Sequence, residues 1–168
     1  MGILDAGIDL LKGLKEIFSD EPFDVGLRFE KYVQDLFSDE YFLIVEKTHS
    51  PSTNQERYVE SSMNPDFVFR YIPTGEQFAV ECKYRTGLYN GMLRWSNPSQ
   101  LQRYRDFSYN RRMPVFVIIG LGGMDVEPRE IFNIPLEEAK YPDLYPSVFN
   151  KFSRQPDKPF FWKSGKLY

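Results

Sequence analysis

A single cysteine and a single histidine stand among 168 residues. Cys82 has no partner for an internal disulfide, and a Cys-rich zinc site is excluded with it. His49 alone leaves little room for His-based metal or triad chemistry. No apolar run approaches the roughly 20 residues of a membrane span. The N-terminus lacks the basic start, apolar core and cleavage site of a signal peptide. A myristoylation signal fails as well, since Ala6 stands where Ser or Thr is needed. The expected compartment is the cytoplasm. An excess of positive charge is also missing: the net charge is −3, which argues against a coat of nonspecific cations.

What is present is enough for a core. Hydrophobic residues make up 42% of the chain and aromatics 17%, a composition of globular rather than disordered proteins. The charge is unevenly spread. Residues 1–82 hold seven Lys/Arg against sixteen Asp/Glu, whereas residues 83–112 hold seven against Asp106 alone. The remaining residues balance. The basic block starts at Lys83.

The pattern predicts an amphipathic helix over residues 1–20, with Ile3, Leu4, Ile8, Leu11, Leu14, Ile17 and Phe18 at helical spacing. Its mixed charges (Asp5, Asp9, Lys12, Lys15, Glu16) suit packing on the domain or a partner rather than anionic lipid. A single domain is expected from residue 21 to residue 168. It opens with a helix capped by Asp20, with Pro22 in its first turn and Phe29, Val33, Leu36 and Phe37 as its apolar stripe. "YFLIVEKTH" reads as a strand, residues 50–62 as a polar loop. "DFVFRYI" and "QFAVECKYR" read as strands joined by the turn "PTGE". "GLYNGMLRWS" reads as a Gly-punctuated loop, and "NPSQLQRYRDFSYN" as a helix with Asn97 as cap and Pro98 first. "PVFVIIGLGG" reads as a fully buried central strand ending in a turn, since "GLGG" lacks the Lys-Ser/Thr of a phosphate loop. "EIFNIPL" is a further strand. A Pro- and aromatic-rich tail from about residue 141 is expected to wrap the surface. The fold class is α/β, a mixed central β-sheet flanked by helices.

Chemistry concentrates in one strand. Side chains alternate faces along a strand, so Phe78, Val80, Cys82 and Tyr84 share the core face and Ala79, Glu81 and Lys83 share the other. Asp66 opens the preceding strand of the same hairpin and comes close to Glu81 across the pair. Two carboxylates brought together repel unless a cation compensates. Oxygen ligands without His or Cys select a hard ion such as Mg²⁺ or Mn²⁺. Lys83 then adds a positive charge that can orient a water nucleophile or stabilise charge on a phosphoryl oxygen. The plain alternative is an exposed strand face with a salt bridge, worth little energetically.

These residues carry a resemblance. "NPD" at 64–66 and "ECK" at 81–83, separated by fourteen residues, resemble the signature of the PD-(D/E)xK nuclease superfamily, the restriction-endonuclease-like fold. Glu30 in "RFEKYVQDLF" matches the first-helix glutamate of many members, archaeal-type Holliday junction resolvases among them. Gln100 and Tyr104 in "QLQRY" resemble the Q-x-x-x-Y element of exonuclease-like branches. The resemblance spans roughly residues 23 to 120. It implies a restriction-endonuclease-like sheet and a Mg²⁺- or Mn²⁺-dependent nuclease acting on nucleic acid, DNA in the first place, with a homodimer as a reasonable assembly. It implies Asp66 and Glu81 as metal ligands, with the Cys82 backbone carbonyl as a third and Glu30 as an outer or water-mediated one. Lys83 is the implied catalytic lysine, and Gln100 and Tyr104 position substrate or that lysine. As plain alternatives, Glu30 is a solvated helix residue and Gln100 and Tyr104 are helix-surface polars. Arg85, Arg94, Arg103, Arg105, Arg111 and Arg112 are the expected phosphate contacts, interleaved with Tyr84, Tyr89, Trp95, Tyr104, Phe107 and Tyr109 for stacking, about half of which belong to the core. The rival function is a non-catalytic nucleic-acid-binding or protein-interaction module.

Overall fold

The two hairpin strands and the all-apolar strand, which carry the strongest patterns in the sequence, form the middle of a six-stranded sheet. The computed structural model describes residues 22–48, 63–123 and 127–168. The helix expected over residues 1–20, its Asp20 neighbour, the loop of residues 50–62 and His49 lie outside the described residues. In chain order the elements are α1 (Pro22–Asp35), β1 (Phe42–Lys47), β2 (Phe67–Tyr71), β3 (Gln77–Arg85), β4 (Leu93–Arg94), α2 (Pro98–Arg111), β5 (Val115–Leu121), β6 (Glu130–Pro135), β7 (Asp143–Leu144), α3 (Pro146–Phe149), β8 (Ser153–Arg154), β9 (Trp162–Lys163) and β10 (Lys166–Leu167). The main sheet runs β1-β2-β3-β5-β6-β8. Only β3 and β5 pair in parallel within it, which the α2 crossover permits; every other neighbour is antiparallel.

Both helices begin where the sequence asks. Pro22 opens α1, its fixed φ already helical. Asn97 caps α2 by accepting the Gln100 N–H at 2.9 Å, with Pro98 in the first turn. The helices lie on opposite faces of the sheet. Phe29 and Val33 of α1, with Phe37 just beyond its end, join Phe67, Phe69, Phe78, Val80, Cys82, Phe116 and Ile118 on one side. Leu101, Tyr104 and Phe107 of α2 join Val68, Ala79, Val115, Val117 and Ile119 on the other. Central strands of such a sheet have no solvated face. All seven residues of β5 are buried, as its continuous apolar run predicts. Gly120 sets how close α1 comes, because a Cβ there would meet the Phe29 ring at 2.5 Å.

The tail departs from its expected place on the surface. β8 extends the main sheet beside β6, β7 pairs with β4, and β9 and β10 form their own hairpin. Phe160, Trp162 and Leu167 are buried in the α1-side core. Trp162 stacks on Phe78 with centroids 4.5 Å apart and donates its indole N–H to Glu76 at 3.0 Å. Isolated aromatics set among prolines have no period to read, yet each carries a large apolar area worth burying.

Truncating such a ring tests the tail's role. Trp162→Ala is expected to lower the unfolding free energy by about 3–5 kcal/mol, the range for a buried aromatic. Urea denaturation measures it. A change within about 0.5 kcal/mol would mark Trp162 as surface decoration instead.

Candidate active site

The antiparallel register of β2 and β3 builds the site. Phe67 lies opposite Val80 and Val68 opposite Ala79, so the next pair in the series is Asp66 and Glu81. Asp66 and Glu81 are 4% and 3% exposed, far more covered than an ordinary carboxylate. α2 is the cover. The Tyr104 hydroxyl donates to Glu81 Oε1 at 2.7 Å, and the Lys83 ammonium meets the same oxygen at 2.6 Å. Asp66 Oδ2 accepts the backbone N–H of Cys82 at 2.7 Å, which pins its carboxylate against β3. Glu81 Oε2 is buried with no hydrogen-bond partner among the described residues.

The electrostatics follow from this crowding. Burial pushes the Glu81 carboxyl up, the nearby Asp66 charge adds to it, and Lys83 and Tyr104 pull back only in part; the result is a pKa of about 7. Burial alone would lower the Lys83 ammonium, but Glu81 and then Asp66 outweigh it and its net shift is upward. Burial and then the Glu81 charge raise the Tyr104 phenol as well. The Cys82 thiol is raised by burial first and by Asp66, Glu81 and Glu30 after it. It is a buried thiol with suppressed reactivity.

Other expected site residues fall out differently. Glu30 is buried in α1, on the opposite side of β3 from Tyr104 and near Cys82. Asp66, Glu81 and Glu30 all act on the Cys82 thiol, and among the described residues no three His, Cys, Asp or Glu side chains form a group that could hold a metal ion. Gln100 is half-buried in the first turn of α2, one turn before Tyr104. Tyr104 is bound to Glu81 rather than open to a ligand.

Several arginines of the basic block have structural partners. Arg85 donates to the carbonyls of Tyr84, Arg94 and Trp95 at 2.9, 2.6 and 3.1 Å, so it clips backbone together. Arg94 forms a two-pronged pair with Asp143 at 2.8 and 3.1 Å, and Arg111 pairs with Glu46. Arg105 donates to the Lys140 carbonyl at 2.7 Å and Arg103 to Ser99 Oγ at 3.4 Å. Of the interleaved aromatics, Trp95, Tyr104 and Phe107 are core, whereas Tyr89 and Tyr109 are exposed. A cavity of about 790 Å³ lined by Phe116, Asn133, Arg154 and Tyr168 lies at the start of β5, away from the carboxylates.

The donor set fits a hard cation. Two buried carboxylates face one ammonium, and the unpartnered Glu81 Oε2 is an acceptor whose burial without a partner is costly. Asp66 and Glu81 Oε2 offer oxygen donors, the kind that Mg²⁺ and Mn²⁺ take.

This arrangement predicts a pH dependence for the metal-free protein. The unfolded Glu81 titrates near 4.5 and the folded one near 7, so between these values the folded chain holds a proton that the unfolded chain has released. The stabilising contribution is complete below pH 4.5 and is lost as pH rises through 7. In EDTA the melting temperature is expected to fall by roughly 5 °C or more across that window. Glu81→Gln, which cannot ionise, should flatten most of the slope. An equal slope in that variant would place the titration elsewhere.

No protein-family model matches the chain, and no curated protein matches it by sequence. Among solved structures it is similar to Hjc of Archaeoglobus fulgidus, described as a Holliday junction resolvase from an archaeal hyperthermophile. The superposition has a TM-score of 0.54 and 16% identity, and covers 79% of this chain and 97% of that one. Identity at that level speaks for the fold alone. The chain has a mixed α/β architecture of the resolvase and restriction-endonuclease-like type.

Proposed function

We propose that the chain is a metal-dependent nuclease that hydrolyses phosphodiester bonds in DNA, cutting within the strand. The observation that carries this reading is the opposed, buried pair of Asp66 and Glu81 with Lys83 on Glu81, set in a resolvase-like fold. Burying two acids side by side costs stability, and a binding surface gains nothing from it. Perturbed carboxylates of this kind mark sites of chemistry.

Asp66 and Glu81 Oε2 would hold Mg²⁺ or Mn²⁺, with the Cys82 carbonyl as a further oxygen ligand. The ion, when bound, would supply charge neutralisation and a coordinated water more acidic than bulk water. The protein groups then have distinct tasks. Lys83 stays protonated, because Glu81 and Asp66 hold its ammonium in the charged form against burial. It therefore acts as a donor and a fixed positive charge beside the phosphoryl oxygens, not as a base. Tyr104 stays a phenol and keeps Glu81 Oε1 occupied, which leaves Oε2 as the free oxygen of that carboxylate. Glu30, across β3, acts as an outer group, and Gln100 approaches substrate from the first turn of α2. Arg103 and Arg105 are the backbone contacts of this reading; Arg85 and Arg94 act by shaping the wall.

The test uses labelled linear, circular and four-way-junction DNA with Mg²⁺, Mn²⁺ or EDTA. Cleavage is expected only with metal, and Lys83→Ala should reduce it by about 10²-fold or more, the scale of losing one oriented charge donor. Mn²⁺ should also raise the melting temperature of the wild type and not of Glu81→Gln. DNA that shifts in a gel but is never cut would make the chain a binding module. The absence of both binding and cutting would overturn the proposal.

A further inference from the structure

The stretch that follows the candidate catalytic strand is built as a stiff finger. It leaves β3 just past Lys83 and Arg85 and turns back at Asn90 and Gly91, whose φ values are 48° and 73°. Positive φ at both central residues is what a tight hairpin turn with native twist requires, and Asn-Gly is the pair that supplies it most readily. Tyr89 and Met92 exchange backbone hydrogen bonds of 2.9 Å in both directions. At its base the Arg85 guanidinium ties the end of β3 to the carbonyls of Arg94 and Trp95. β4 then pairs with β7, and Arg94 is held by Asp143. The finger and the strand that carries Glu81 and Lys83 thus form one body.

The tip is apolar and open. Leu88 is 43% exposed and Tyr89 53%. The Arg94 guanidinium lies over the Tyr89 ring, 4.0 Å from its centroid, and among the described residues no other ring packs on it. Arg94 is in turn fixed by two hydrogen bonds to Asp143, so the half-exposed tyrosine has a fixed guanidinium behind one face. A turn that only joined two elements would need no such backing. A ring immobilised in advance loses little entropy when something stacks on it.

We propose that the 86–92 finger is a stacking platform for an unpaired nucleobase. Its substrate is then duplex DNA interrupted beside the cut by a base that has left the helix. This rests on the nuclease reading above. Bases inside an intact duplex have both faces covered by their neighbours, so an aromatic side chain can stack only on one that is flipped, bulged or terminal. Leu88 beside Tyr89 supplies the apolar edge that fills the gap such a base leaves.

The experiment measures affinity by fluorescence anisotropy for two DNAs, a perfect duplex and the same duplex with one unpaired base. Ca²⁺ replaces Mg²⁺, as a hard ion with the same taste for oxygen ligands. The wild type is expected to bind the interrupted duplex about 10-fold tighter or more, the scale of one base–aromatic stack. Tyr89→Ala should lose that preference, and Tyr89→Trp should keep it. A fluorescent 2-aminopurine at the unpaired position should be quenched on binding the wild type and not on binding Tyr89→Ala. Equal affinity for both DNAs, or a preference unchanged in Tyr89→Ala, overturns the platform and leaves the nuclease reading standing. Failure to bind either DNA overturns both. A Tyr89→Ala effect confined to self-association, seen by sedimentation, would make the finger a contact between copies and would also overturn it.

Discussion

Everything around β3 answers to one constraint: two acids lie in the middle of a sheet that is covered on both sides. Asp66 and Glu81 face each other across the β2–β3 pair, and neither retains more than a few per cent of its surface. A buried carboxylate needs hydrogen bonds and an opposite charge, or it takes up a proton. The structure provides each in part. Asp66 receives the Cys82 N–H, and Glu81 receives one hydroxyl and one ammonium, all on the same oxygen. The second Glu81 oxygen is left over. A core designed only for stability would close that gap with an apolar pair; this one keeps a negative, oxygen-lined point beside a lysine.

The helices matter because they make that point dry. α2 covers the Glu81 face with Leu101, Tyr104 and Phe107, and Tyr104 is at once packing residue and hydrogen-bond donor. Trp95 stacks against Tyr104 at 6.0 Å and fixes the ring from which that hydroxyl projects. α1 covers the other face through Phe29, and the absence of a side chain at Gly120 lets it approach. Glu30, next to Phe29, is carried into the sheet by the same packing. Removing either layer would admit water, raise the local dielectric and return Glu81 towards an ordinary carboxylate.

The sequence made this site legible because strand alternation is strict. Once "QFAVECKYR" is a strand, Glu81 and Lys83 must share a face, and the hairpin turn brings Asp66 to them. Alternation does not say whether a charged face is covered; the flanking apolar runs, which imply a central strand, were the hint, and Leu101, Tyr104 and Phe107 of α2 pack there with Ala79. Charge counting likewise overstated the basic block. Lys83, Arg94 and Arg111 each meet a carboxylate from outside residues 83–112, namely Glu81, Asp143 and Glu46. The Arg94 and Arg111 pairings join distant segments and are invisible to a linear count, whereas Glu81 stands two residues before Lys83 on the same strand. The finger was legible in principle, since Asn90-Gly91 between hydrophobic residues is a hairpin signal, but two glycines nearby made it read as loop. The tail's aromatics gave no period at all, so only the fold could show that Trp162 belongs against Phe78.

Arg85 shows why the basic block behaves as structure before it behaves as a field. Its three donors satisfy three carbonyls where β3 ends and the chain returns along β4, a place where strand pairing alone leaves acceptors unsatisfied. A lysine could not do this, because only the planar guanidinium fork reaches several acceptors at fixed angles. The positive charge is retained but turned inward, within Coulombic range of Glu81 and Tyr104. The remaining outward cations are therefore fewer than the sequence implies. Among the described residues, the hairpin that Arg85 holds in place is a tied projection continuous with the strand that carries Glu81 and Lys83.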